Sequence, residues 1–217
     1  MAPTCSSWRT SLPGYAVSNP PYARKIKIVI AGGFATGKTT LVNTVSEVAP
    51  ILTEELMTRA GERVDTLEGV QGKATTTVAM DIGRVTLPRE HGPEIVVMLI
   101  GVPGQFRFKG LWNDLSRGAT GAVVLTDTRR LPDAFDAVAY FERRQMPFSI
   151  AVNLFDGAPR YLLDEVRDAL DLGAKVPVMA CDARDRESVR DVLIELVQHA
   201  RDRKTTAPVH APLGARR

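Results

Sequence analysis

One stretch constrains this chain more than any other. Lys25-Ile-Lys-Ile-Val-Ile-Ala31 is β-branched and apolar, as a strand buried on both faces should be. After the next loop, Leu41, Val42, Val45 and Val48 recur at helical spacing. Between strand and helix lies Gly32-Gly-Phe-Ala-Thr-Gly-Lys-Thr39, which fits the phosphate-loop pattern G-x-x-x-x-G-K-[ST]. Such a loop wraps backbone N–H groups around a polyphosphate at the positive end of the helix that follows. The reading assigns Gly32, Gly33, Phe34, Ala35, Thr36 and Gly37 to the cradle, with Lys38, Thr39 and Thr40 opening the helix. Lys38 is expected to pair with the β- and γ-phosphates, and the Thr39 hydroxyl to ligate Mg²⁺. A nucleoside triphosphate is the expected ligand.

A chain of 217 residues suits one α/β domain with tails, and 44% hydrophobic residues suffice for a core. No apolar run reaches the length of about 18 residues that a membrane helix needs, so no transmembrane segment is expected. Only Cys5 and Cys181 are present, which points to free thiols and a cytoplasmic setting. The net charge is +3, but residues 1–25 carry +3 and 201–217 carry +4, leaving the centre at −4. A mildly acidic core argues against nucleic acid as a partner. The basic tails either solubilise the chain or place it peripherally at an anionic membrane.

Residues 1–24, with Pro3, Pro13, Pro20 and Pro21, read as an N-terminal tail; 25–200 form one domain, and 201–217 a basic C-terminal tail. Residues 50–77 are polar and suggest no strand. Further strands are expected at 78–87, 94–100, 121–127, 147–153 and 176–180, with the first two of these paired as a hairpin across Pro88–Pro93. Helices are expected near 107–117, 131–144, 160–170 and 185–201. The fold class is therefore α/β: a phosphate-loop NTPase with a six-stranded, mostly parallel sheet, one antiparallel edge strand, and helices on both faces. In such sheets ligands sit at the C-terminal ends of the strands.

Several segments after those strands resemble the Ras-like small GTPases. Ile100-Gly-Val-Pro-Gly-Gln-Phe-Arg-Phe108 resembles switch II, so Gly104 matches the glycine that meets the γ-phosphate and Gln105 the residue that orients the attacking water. Asn153-Leu-Phe-Asp156 resembles the guanine-reading N-K-x-D element, in which Asp156 accepts hydrogen bonds from guanine N1–H and the 2-amino group. Asp182-Ala-Arg184 resembles S-A-K, in which the Ala183 N–H meets the guanine carbonyl. Thr77 fits the switch I threonine that binds Mg²⁺; Thr75 and Thr76 leave its register open. Ala31-Gly-Gly-Phe34, Thr75-Thr-Thr-Val-Ala-Met-Asp81, Val102-Pro-Gly-Gln105 and Asp127-Thr-Arg-Arg130 are similar to the actinobacterial conservon-type G proteins, relatives of bacterial gliding-motility GTPases. The resemblance implies a GTP/GDP switch with Mg²⁺, catalytic Lys38 and Gln105, metal ligands Thr39 and Thr77, a roadblock (light-chain 7) partner and a membrane-associated signalling complex.

The pattern also breaks in places. Gly101 stands where most Ras-like proteins carry the Asp that holds a Mg²⁺ water; Asp127 either compensates or makes a structural contact. Phe34 replaces a loop glycine and is expected to crowd the γ-phosphate and slow hydrolysis. Leu154 replaces a lysine that covers the purine. Arg59 and Arg63 either supply an arginine finger or are solvated. Phe106, Phe108 and Trp112 either form a partner surface or pack the switch helix onto the sheet. Two other readings remain: a nucleotide-binding adaptor without significant hydrolysis, and a phosphate-loop small-molecule kinase whose basic lid would draw on Arg129-Arg130.

Overall fold

The computed structural model describes residues 24–49, 51–56, 77–87, 92–104 and 109–206. Its strands are β1 (Arg24–Ala31), β2 (Ile51–Leu56), β3 (Thr77–Leu87), β4 (Ile95–Gly101), β5 (Gly121–Thr126), β6 (Phe148–Asn153) and β7 (Val178–Cys181). The helices are α1 (Lys38–Val45), α2 (Lys109–Ser116), α3 (Phe135–Arg143), α4 (Leu163–Ala169) and α5 (Arg186–Thr206), with a 3₁₀ turn over Thr128–Ala134. The strands form one sheet in the order β2-β3-β4-β1-β5-β6-β7.

The sheet is mostly parallel: β1 pairs in parallel with β4 and β5, β5 with β6, and β6 with β7. β3 alone runs against its neighbours, as the expected hairpin with β4 requires. The six expected strands are present, and a seventh joins them. β2 lies in the stretch read as strandless and pairs along β3, so β3 is not the sheet edge. Its sequence, Ile-Leu-Thr-Glu-Glu-Leu, has no apolar run to betray it, and a strand with a single neighbour needs none.

Period-two alternation in β1 divides the core. Ile28 and Ile30 face one way, with Leu41, Val42 and Val45 of α1 and Val189, Val192, Leu193 and Leu196 of α5. Val29 and Ala31 face the other way, with Trp112 of α2, Val138 and Phe141 of α3, and Val166 of α4. Helices thus cover both faces, which is what a fully apolar central strand demands. Trp112 is buried and stacks on Phe141 at 6.3 Å between ring centroids, so it packs the helix onto the sheet. α5 continues to Thr206, past its expected end; Arg203 there donates to the carbonyls of Gln145 and Met146, holding the last turns to the domain. Among the described residues, no helix is long and apolar enough to cross a membrane.

The order places β1 between β4 and β5, so the chain leaves β1 at the point where the strand order reverses. A crevice opens there at the C-terminal ends of the strands. The phosphate-loop sequence sits at that crevice.

Candidate functional site

The loop between β1 and α1 closes on a left-handed glycine. Gly37 has φ +98°, and a Cβ there would lie 2.6 Å from Asn153 Nδ2, so both backbone and space require glycine. α1 starts with no side-chain cap and no acidic residue in its first turn. Its first N–H groups and the positive end of its dipole are thereby left for an anion. Ala35 holds φ +59°, a conformation that costs an L-residue about 1–2 kcal/mol. Lys38 Nζ folds over the loop and donates to the carbonyls of Gly33 at 2.5 Å and Gly32 at 3.2 Å. Burial lowers its pKa to about 8, against the opposing pull of the Asp81 carboxylate. An ammonium held among loop carbonyls beside an uncapped helix start has the charge and the donors to receive an anion.

The carboxylate that Gly101 lacks arrives from the neighbouring strand. Asp81 of β3 is buried and accepts a hydrogen bond from Thr39 Oγ1 at 2.7 Å. A Cβ built at Gly101 would lie 3.1 Å from Asp81 Oδ2, so the Asp81 side chain stands directly against position 101. Sequence reasoning missed this residue. The signal was there: Asp81 shares the buried face of β3 with Gly83, Val85 and Leu87, and a carboxylate in such a row needs a reason. Asp127, weighed above as a substitute, instead caps the 3₁₀ turn and takes a bidentate ion pair from Arg129 at 2.6–3.1 Å. The Thr39 hydroxyl and the Asp81 carboxylate are hard oxygen donors beside the loop, the chemistry magnesium prefers. Among the described residues no cluster of three or more His, Cys, Asp or Glu side chains could hold a metal, so such an ion would need phosphate oxygens to complete its shell.

Gly104 lies against the same loop. A Cβ there would come within 2.6 Å of the Gly32 carbonyl oxygen and of the Gly33 carbonyl group, so only glycine lets this backbone close on the cradle. Trp112 Nε1 donates to the Pro103 carbonyl at 3.1 Å and anchors the approach. Gln105, Phe106, Arg107 and Phe108 lie outside the described residues, as do Arg59, Arg63, Thr75 and Thr76; Thr77 is described only as the first residue of β3.

On the other flank, Asn153 joins two loops. Its Nδ2 donates to the Thr36 carbonyl at 2.9 Å, and its Oδ1 accepts the Ala183 N–H at 3.1 Å. The end of β6 is thereby tied to the phosphate loop and to the turn after β7. Asp156 is exposed and takes two hydrogen bonds from Arg184, at 2.8 and 3.3 Å. These hold its carboxyl below the usual carboxylate range. Arg129 stacks over Phe155 with its guanidinium carbon 4.2 Å from the ring centre, bracing the same loop. Arg130 pairs with Asp133 at 2.6 Å, so both members of the paired basic element are engaged. Phe34 is 59% exposed. Thr40 is exposed on the first turn of α1, and Leu154 lies partly buried beside Asn153.

Residues 30–203 match a family model described as a conserved hypothetical ATP binding protein. The chain belongs to this family. Membership agrees with the strand, loop and helix just described, and it makes the chain one of a nucleotide-binding family with a phosphate-loop fold. No curated protein matches the chain significantly.

Two outcomes follow from this geometry. Asn153→Ala leaves the Thr36 carbonyl and the Ala183 N–H buried and unpaired, at about 1–3 kcal/mol each. Urea unfolding of the protein without nucleotide should show that loss; an unchanged midpoint would mean that Asn153 ties nothing. Lys38 binds fewer protons folded than unfolded between pH 8 and 10.5, so its contribution to stability rises across that window and its burial penalty is in full force below it. Lys38→Met should flatten the pH dependence of unfolding free energy there.

Proposed function

We propose that this chain is a magnesium-dependent GTP-binding switch that hydrolyses GTP to GDP slowly. The observation that carries the reading is the pair of hydrogen bonds from Asn153 to the phosphate loop and to the turn bearing Ala183. They tie the segment Asn153 to Asp156, which the resemblance reads as the guanine reader, to the phosphate loop. Asp156 accepts from guanine N1–H and the 2-amino group, donors that adenine does not present at those positions. The Ala183 N–H, which the resemblance gives to the guanine carbonyl, is held by Asn153 Oδ1, so a guanine carbonyl would have to share or displace that bond.

At the cradle, Lys38 exchanges the Gly32 and Gly33 carbonyls for phosphate oxygens, and the first N–H groups of α1 take the rest of the charge. Thr39 would hold magnesium through its hydroxyl, with the Asp81 carboxylate beside it as a second oxygen donor to the site. Thr77 is the candidate for a further ligand. Magnesium, when bound, neutralises charge on the β- and γ-phosphate oxygens. Gly104 brings a backbone N–H to the γ-phosphate, and Gln105 orients water for attack. Loss of the γ-phosphate releases the segments around Thr77 and Gly104, which is the switch. Phe34 crowds the approach and leaves turnover dependent on a partner. The resemblance to conservon-type G proteins supports a roadblock-type partner and a membrane-associated signalling complex.

A second reading is an adenine-nucleotide binder or adaptor without significant hydrolysis. It is favoured by the description of the matched family and by the Arg184 guanidinium that covers Asp156.

Denaturing the purified protein and separating any released nucleotide decides the base: GDP or GTP sustains the proposal, and ADP or ATP overturns it. In single-turnover GTP hydrolysis the wild type should be slow and Phe34→Gly several-fold faster; a fast wild type indifferent to the change removes the crowding. Asp81→Ala should cut the gain in GTP affinity that Mg²⁺ confers over EDTA by about 10–100-fold, the usual loss when a residue steadying a metal shell is removed. An undiminished gain would return the role to residues elsewhere.

A further inference from the structure

Arg184 spans two carboxylates. Its Nη1 donates to Asp156 Oδ2 at 2.8 Å and its Nη2 to Asp156 Oδ1 at 3.3 Å. Its Nε donates to Asp182 Oδ1 and its Nη2 to Asp182 Oδ2, both at 2.9 Å, and its backbone N–H also reaches Asp182 Oδ1 at 2.9 Å. The two anchors differ. Asp182 is two residues away and half-sheltered, so its hold on Arg184 is local. Asp156 belongs to another loop, and its side chain is 86% exposed. The guanidinium fork occupies both Asp156 oxygens, the same two atoms that a guanine would engage through N1–H and the 2-amino group.

We infer that Arg184 is a specificity-determining residue that competes with the base for Asp156 and narrows the preference for guanine. The inference rests on Asp156 as the base reader. A guanine entering the site must displace the Arg184 fork. Arg184 then keeps its Asp182 partner, so displacement orphans no charge, and what is given up is one exposed ion pair, a small quantity. The purine therefore gains less from Asp156 than it would from an unengaged carboxylate. A base that offers Asp156 no donor loses less, because the carboxylate stays paired with Arg184. Both effects move the affinities toward one another. Leu154 sharpens the consequence, since the position that carries a covering lysine in the resembled family supplies no charge here.

The test uses the full chain and competition of GTP, ITP and ATP against a fluorescent GTP analogue. ITP lacks only the 2-amino group and keeps the N1–H, whereas adenine offers Asp156 neither donor, so the GTP-to-ATP affinity ratio reads the pairing with Asp156, with ITP falling between, and does not depend on the folded fraction of a preparation. Arg184→Ala should raise that ratio about two- to fivefold, the scale of one exposed ion pair. Arg184→Lys, with a single ammonium that cannot span both carboxylates, should fall between wild type and Arg184→Ala. In an Asp156→Ala background, Arg184→Ala should change nothing. A guanine-selective wild type whose ratio stays level or drops in Arg184→Ala overturns the competition while leaving the guanine reading intact. A wild type and an Arg184→Ala variant that both bind ATP as well as GTP overturn Asp156 as base reader and the competition with it. Selectivity that appears only in Arg184→Ala supports the competition and replaces the guanine-specific reading with a relaxed one.

Discussion

A single buried amide organises the site. Asn153 sits at the end of β6, yet its two polar atoms are spent on other segments, the Thr36 carbonyl in the phosphate loop and the Ala183 N–H after β7. Both are backbone groups in a buried setting, where an unpaired donor or acceptor is costly. The three loops that leave β1, β6 and β7 are therefore one body. Gly37 completes the joint, since any larger residue would strike the amide. What lies on either side follows: a cradle for phosphate, and a carboxylate-bearing edge a fixed distance from it.

Electrostatics in the cradle is set by what is left unpaired. α1 begins with neither a capping side chain nor an acid, so the helix start keeps its positive potential. Lys38 adds a cation, and its neighbours withhold full solvation, which is why its proton is loosely held. Asp81 is the counterweight. Its carboxylate supports Lys38 from a distance and binds the Thr39 hydroxyl directly, so cation, hydroxyl and carboxylate form one polar cluster at the mouth of an apolar sheet.

Much of this was legible in the chain. The apolar runs at Ile26–Ala31, Gly121–Thr126 and Phe148–Asn153 became central strands because burial on both faces requires such runs, and Ile95–Ile100 became β4 although Met98 in it stays exposed. The phosphate loop was readable because glycine and lysine at fixed spacing have few other uses between a strand and a helix. What stayed hidden had no local signature. β2 is held by its partner strand and not by its own composition. The last turns of α5 meet carbonyls at Gln145 and Met146, far away in sequence, through Arg203. Asp81 acts across strands, so its role appears only when β3 and β4 are laid side by side. The Arg184 contact with Asp156 likewise joins segments that no spacing rule connects. The roles assigned to Gln105 and Thr77 rest on sequence, since the described side chains include neither.

The pairing of Asp81 with Gly101 couples two strands. A Cβ at position 101 would stand 3.1 Å from both the Cβ and an oxygen of Asp81, so a side chain there would press on the carboxylate and on the hydrogen bond it takes from Thr39. What stands on β4 therefore decides whether the acid of β3 keeps its place. A pattern that looks for an acid at position 101 alone would overlook this carboxylate. A ligand at the loop meets the charge where it ends up, whichever strand delivers it.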